Sequence, residues 1–319
     1  MTGLVTGAGP AARASLARLP GVAIMLAVIS AGFALAAPSF SSPANLGNVL
    51  IQSTLLLLLA LPMTFVILTE GLDLSMGAVL TLASIALAIT LMSTGSALLA
   101  ILAGIAVGCG FGLVNGCLVS LLDIPPFIAT LGTLGIAQGL ALVVTDGQSI
   151  VGLPRSIEVI YAGTLAGIPA PIAIGALAYA GAHLLLYHTR FGTYVFALGG
   201  NREALRLAGV SDRLVLVAVY GFAGLAAGFA ALLLTARISA AHPTAGIGLE
   251  FDAIAAVAVG GTSFERGNGW LFGTLLGVVT VGTLRNGLNL MAVPSSAQVA
   301  AIGALVIVAL FLDGLRSAR

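Results

Sequence analysis

Few side chains in this sequence can do chemistry: eleven carboxylates, three histidines, two cysteines and twelve arginines among 319 residues, with no lysine. Without lysine the phosphate-binding loop GxxxxGK[ST] cannot be written, so nucleotide hydrolysis coupled to this chain must come from another one. Cys109 and Cys117 lie eight residues apart. That is about 12 Å along a helix, too far to bridge within it, and both are expected in the core. His183, His188 and His242 do not fall at ligand spacing with cysteines or carboxylates, so neither a metal nor a cofactor is expected in this chain. No nucleophile and base can be assembled into a catalytic set, which argues against an enzyme.

The carboxylates are more informative. Glu70 and Asp73 stand beside Gly71 and Gly77 between two apolar runs, and Glu250 and Asp252 precede a short run, Ala253 to Val259, that ends at Gly260 and Gly261. A carboxylate at the bilayer centre costs about 3 kcal/mol on insertion scales and would mark function, whereas at an interface it is a polar turn. The parity of the spans puts Glu70 and Asp73 near the cytoplasmic edge, so a polar turn is expected there. Nearly every other charge also falls at a predicted span edge. The candidates for a solute pathway or its gate are Glu70, Asp73, Phe127, Thr130, Glu250, Asp252, Asn286 and Asn289.

A third set is basic. The stretch Arg190 to Arg213, RFGTYVFALGGNREALRLAGVSDR, gathers four of the twelve arginines between two long apolar runs. The positive-inside bias places such a loop in the cytoplasm. Within it Asn201 is expected to cap a helix of two turns, Arg202 to Ala208, that Gly209 ends in a left-handed conformation. Ala204, Leu205 and Ala208 would share one side, and Glu203 could pair with Arg206. A docking helix about 10 Å long and a solvated surface helix both fit this pattern.

These groups are positioned by membrane-spanning elements. The chain is 59% hydrophobic and 7% charged, with a mean hydropathy of +1.16, which is the composition of a polytopic all-α membrane protein. A net charge of +1 without a basic run argues against nucleic acid as a partner. The apolar runs predict about ten transmembrane helices in one permease domain spanning residues 1–319, with residues 190–213 as a cytoplasmic loop within it. One is short or broken: Ala253 to Val259 is far less than a span needs. Both termini are then cytoplasmic, in keeping with Arg13, Arg18, Arg316 and Arg319. Gly104, Gly108, Gly112 and Gly116 recur every four residues and predict a helix-packing stripe, with Asn115 beside it to bond across the contact. Gly71-Leu72-Asp73 after the second span is echoed by Gly248-Leu249-Glu250 after the seventh. An offset of five spans would make the halves an inverted repeat.

GLDLSMG (Gly71 to Gly77), PPFIATLGTLGIAQGLALV (Pro125 to Val143), GGNREALRLAGV (Gly199 to Val210), PTAGIGLEFDAIAAVAVGGTS (Pro243 to Ser263) and RNGLNL (Arg285 to Leu290) together resemble the membrane permease of bacterial ATP-binding-cassette importers of the ribose and related monosaccharide type. The chain departs from that pattern at Glu70 and at Glu265 with Arg266. The resemblance implies a pore made with a second permease copy or a paralogue in the lipid of the inner membrane. It also implies cytoplasmic ATP-binding subunits and a periplasmic sugar-binding protein. It places the ATPase contact at Asn201, Arg202, Glu203, Ala204, Leu207 and Gly209, and the transported solute would be a ribose-like pentose or related small polar ligand. The alternative is a secondary transporter driven by an ion, which needs an ionisable group near the midplane.

Overall fold

The computed structural model describes residues 10–264 and 267–317; Glu265 and Arg266 lie outside the described residues. The first half runs α1 (Pro10–Ala36), α2 (Pro43–Leu68), α3 (Met76–Thr94), α4 (Ala97–Ser120) and α5 (Pro126–Thr145). Ser42 and Ser96 cap α2 and α4 by accepting from the Asn45 and Leu99 amides, and proline opens α2 and α5, where its missing N–H leaves no helical bond unmade. After α5 come a short helix α6 (Glu158–Ala162) and a hairpin of β1 (Thr164–Leu165) and β2 (Ile168–Pro169). The second half contains α7 (Ala170–Tyr187), α8 (Arg190–Gly200), α9 (Arg202–Leu207), α10 (Asp212–Ile238), α11 (Leu249–Val259), α12 (Leu271–Leu290) and α13 (Ser295–Ser317).

Seven of these helices, α2, α3, α4, α5, α7, α10 and α12, are long and apolar enough to cross a membrane, and α1 and α13 carry shorter apolar stretches, Gly21–Ala36 and Ser295–Val308. The broken segment expected at Ala253 to Val259 is α11, which reaches back to Leu249 and takes Glu250 and Asp252 into its first turn. At 11 residues, or roughly 16 Å, it is half a span. Arg285, Asn286 and Asn289 lie in the last turns of α12, where Arg285 pairs with Asp252 and Asn286 with Asn45.

A correspondence between the two halves is visible in which helices pack together. α2 packs on α12 as α10 packs on α4; α3 packs on α4 and α5 as α11 packs on α12 and α13; α3 meets α10 as α11 meets α2. α2 and α10 pack on each other between the halves. The glycine echo falls at equivalent places, since Gly71 lies between α2 and α3 and Gly248 between α10 and α11, which correspond.

The glycine stripe of α4 meets α10. A Cβ at Gly108 would stand 2.8 Å from the Gly228 Cα, one at Gly112 would stand 2.8 Å from the Gly224 Cα, and one at Gly116 would stand 2.7 Å from the Val217 Cα. The two backbones therefore touch, and dispersion between them replaces side-chain interdigitation. Gly104 sits looser, over Ala83 of α3. Cys109 and Cys117, expected in the core, are half-exposed on the other faces of α4 and are free thiols.

Candidate functional site

Two places deserve a chemical reading. The first is the corner formed by α8, α9 and the start of α10. The Asn201 side chain accepts from the Ala204 amide at 2.9 Å, as expected of its cap. At the other end Gly209 has φ +78°, its amide donates to the Arg206 carbonyl and the Val210 amide donates to the Leu205 carbonyl, which completes a Schellman ending. α9 is thus closed at both ends within six residues.

The expected pairing of Glu203 with Arg206 is replaced by something tighter. Arg202 Nε and Arg206 Nη2 both bond Asp212 Oδ2, at 2.6 and 2.7 Å, and Asp212 is buried in the first turn of α10. One carboxylate collecting two guanidiniums outcompetes an exposed pair on the helix surface. The Ala204, Leu205, Ala208 face also divides: Leu205 turns into the bundle, while Ala204 and Ala208 are exposed. The residue that stands out is Leu207, 84% exposed, with Glu203 and Ala204 exposed beside it. α8, an amphipathic helix inside the stretch expected as a cytoplasmic loop, buries Val195, Leu198 and Gly199. Gly199 lies against the Leu68 carbonyl at the end of α2 and against Gly267, leaving no room for a side chain.

The second place is where the two halves meet. Asp73, expected in a solvated turn, is 1% exposed, because residues 69–75 fold back into the bundle after α2. Its Oδ1 accepts from the Ser75 amide at 2.9 Å and from Ser75 Oγ at 2.6 Å. Asn115 Nδ2 donates to Ser75 Oγ, and Thr133 Oγ1 donates to Asn115 Oδ1, so the chain of bonds links the turn to α4 and α5. Tyr220 donates to the Leu72 carbonyl at 3.4 Å, and Thr130 Oγ1 lies 3.3 Å from the same oxygen. Glu250, 3% exposed, lies over Gly77. Its Oε1 accepts from the Gly248 amide, and its Oε2 has no partner among the described residues. Gly246 packs on the same glycine and donates to Thr81 Oγ1 at 2.9 Å.

The candidates therefore divide. Asp73, Thr130 and Glu250 come together at this meeting of the α3 and α11 N-termini. Asp252 pairs instead with Arg285 of α12. Asn286 exchanges amide bonds with Asn45 at 2.9 and 3.0 Å, and Asn289 accepts from Gln298. Glu70, with φ +60°, and Phe127 are exposed. The sequence reading missed Ser75, Thr133, Tyr220 and Asp212. Ser75 and Asp252 each stand four positions after their repeat glycine, and each bonds the equivalent helix, α4 through Asn115 or α12 through Arg285. Extending the glycine echo by four residues would have found the pair. No group of three His, Cys, Asp or Glu arranged to hold a metal occurs among the described residues.

Apolar segments packed as two corresponding halves, broken where the halves meet and carrying a capped amphipathic helix at one end, have the architecture of a membrane permease. The chain belongs to the family described as branched-chain amino acid transport system / permease component, which matches residues 45–310. It is 42% identical over 283 residues to the ribose import permease protein of Bacillus subtilis (strain 168), covering 88% of each chain. It is 38% identical to the ribose import permease protein of Escherichia coli (strain K12), over 91% of this chain and 92% of the relative. With the D-allose transport system permease protein of the same strain it shares 36% identity over 93% and 92%. Comparison with solved structures finds no match. The chain is accordingly a permease subunit and not the hydrolase of its system.

Proposed function

We propose that this chain forms the pore of an ATP-driven importer that carries a monosaccharide, a ribose-like pentose or a related small polar ligand, across the bacterial inner membrane. The α8–α9 end faces the cytoplasm, as its arginines require, and both termini lie on that side. There a separate ATP-binding subunit receives α9. A periplasmic sugar-binding protein delivers solute at the opposite end, and a second permease copy or a paralogue completes the pore. The observation that carries this reading is α9 itself. A six-residue helix capped at both ends, clamped by two arginines on Asp212 and presenting an exposed leucine, is held ready for a partner. Asn201, Arg202 and Gly209 then shape the helix, while Glu203, Ala204 and Leu207 make the contact. The relatives' names point to the sugar.

The buried carboxylates Asp73 and Glu250 are what an ion-driven carrier would need, so the test must separate the two engines. In proteoliposomes holding the permease with its ATPase and binding protein, labelled ribose should accumulate only with ATP and binding protein present. Accumulation driven by a proton or sodium gradient without ATP would overturn the importer reading.

A further inference from the structure

A cavity of about 490 Å³ opens on the flank of the bundle between α2, α4, α7 and α10, apart from both places described above. Its volume falls in the range of ~300–1,000 Å³ common to small-molecule sites. Every lining residue is apolar, among them Pro62 of α2, Ile105 of α4, Gly181 of α7 and Phe222 of α10. Gly181 has no atom within 4 Å of where a Cβ would stand. Leu177 and Leu225 of the lining are themselves exposed. A site for a sugar or an ion would place polar groups in the wall, and none is there. Hydrocarbon fits it.

One end of the groove leads to a cation. Phe222 packs edge-on to Phe65 at 5.1 Å between ring centroids, and Phe65 stacks on Phe191 of α8 at 6.3 Å. The residue before Phe191 is Arg190, which is exposed and makes no ion pair among the described residues, unlike Arg202 and Arg206 nearby in sequence. His188, also exposed, ends α7, whose residues Ala178 and Ala182 line the groove. Ala182 to Tyr187 is only about 8 Å along the helix axis. On α10, Leu214 and Ala218 continue the row of Phe222 at four-residue spacing and are exposed, so the apolar track runs on to the end of the bundle.

The geometry points to a phospholipid site: an acyl chain lies in the groove, and an anionic headgroup is held at its α8 end by Arg190, with His188 beside it. A guanidinium that makes no ion pair among the described residues, on the helix that follows the groove-lining α7, matches a phosphate in charge and in its forked donors. The lipid then sits against α8, the helix that leads into α9. Only the leaflet depends on the proposed function, being the cytoplasmic one if α9 faces the ATPase.

The test is native mass spectrometry of the full chain released from nanodiscs of equal phosphatidylglycerol and phosphatidylethanolamine, with ATP-driven uptake measured separately. Wild type should retain phosphatidylglycerol preferentially, and Arg190→Gln should lower that preference by about five-fold, the effect of one basic residue near a membrane surface. Gly181→Leu, which has open space to occupy, should displace both lipids while the protein stays folded. Retention without headgroup preference in wild type, or unchanged by Gly181→Leu, would overturn the site. So would cross-linking of Leu177→Cys to a second copy, which would show protein covering the groove. None of these results bears on whether ATP drives uptake.

Discussion

Asp212 carries more than its position at the start of a span suggests. By collecting Arg202 and Arg206 on one oxygen it fixes the orientation of α9 relative to α10, and so fixes where Leu207 points. Both arginines are about half exposed, so Asp212→Asn should cost only about 1 kcal/mol of stability. It should nonetheless weaken ATPase binding measurably in a pull-down from detergent, because the helix loses its clamp. Equal binding by this variant would show that the caps alone orient α9. Gly209 has a different task, since its φ of +78° is strained for any residue with a Cβ. Gly209→Val should cost roughly 1–2 kcal/mol locally and disturb docking more than the thermal unfolding of the bundle, which differential scanning fluorimetry can separate. Neither pairing was legible in the sequence. Asp212 lies six and ten residues from its partners, with a turn between, so no helical spacing announces it.

At the scale of elements, periodicity was the strongest signal. The four glycines of α4 announced a close helix contact by their spacing, and the partner, α10, carries its own Gly224 and Gly228 at the contact. Gly112→Leu should be destabilising beyond the ~1–3 kcal/mol of ordinary overpacking, since the obstacle is backbone and not a side chain that can rotate away. Yield and unfolding temperature of the purified variant would check this, and normal values for both would contradict the contact. What hydropathy could not show is where a polar turn goes. GLDLS reads as a solvated junction, yet the chain doubles back and Asp73 ends up buried, bonded by the Ser75 amide and hydroxyl, with Asn115 of α4 bonding Ser75 in turn. α8 was missed for a related reason: its glycines and Arg190 look like loop, and the burial of Val195 and Leu198 that makes it a helix is tertiary.

For the whole molecule, the correspondence between the halves explains why Asp73 and Glu250, which precede and open α3 and α11, are both buried inside the bundle. Orientation is then tested by labelling. With Cys109 and Cys117 replaced by serine, single cysteines at residues 199–211 should react only from the cytoplasmic face, and those at residues 149–163 only from outside. The reverse pattern would overturn the topology. The central claim is that α9 transmits ATP hydrolysis to the pore, and its most direct test is sugar-stimulated hydrolysis by the reconstituted complex carrying Ala204→Asp. A buried unpaired charge at the contact should remove most of the stimulation while leaving the permease folded and α9 capped. Wild-type stimulation by a folded Ala204→Asp protein would remove α9 from the coupling path.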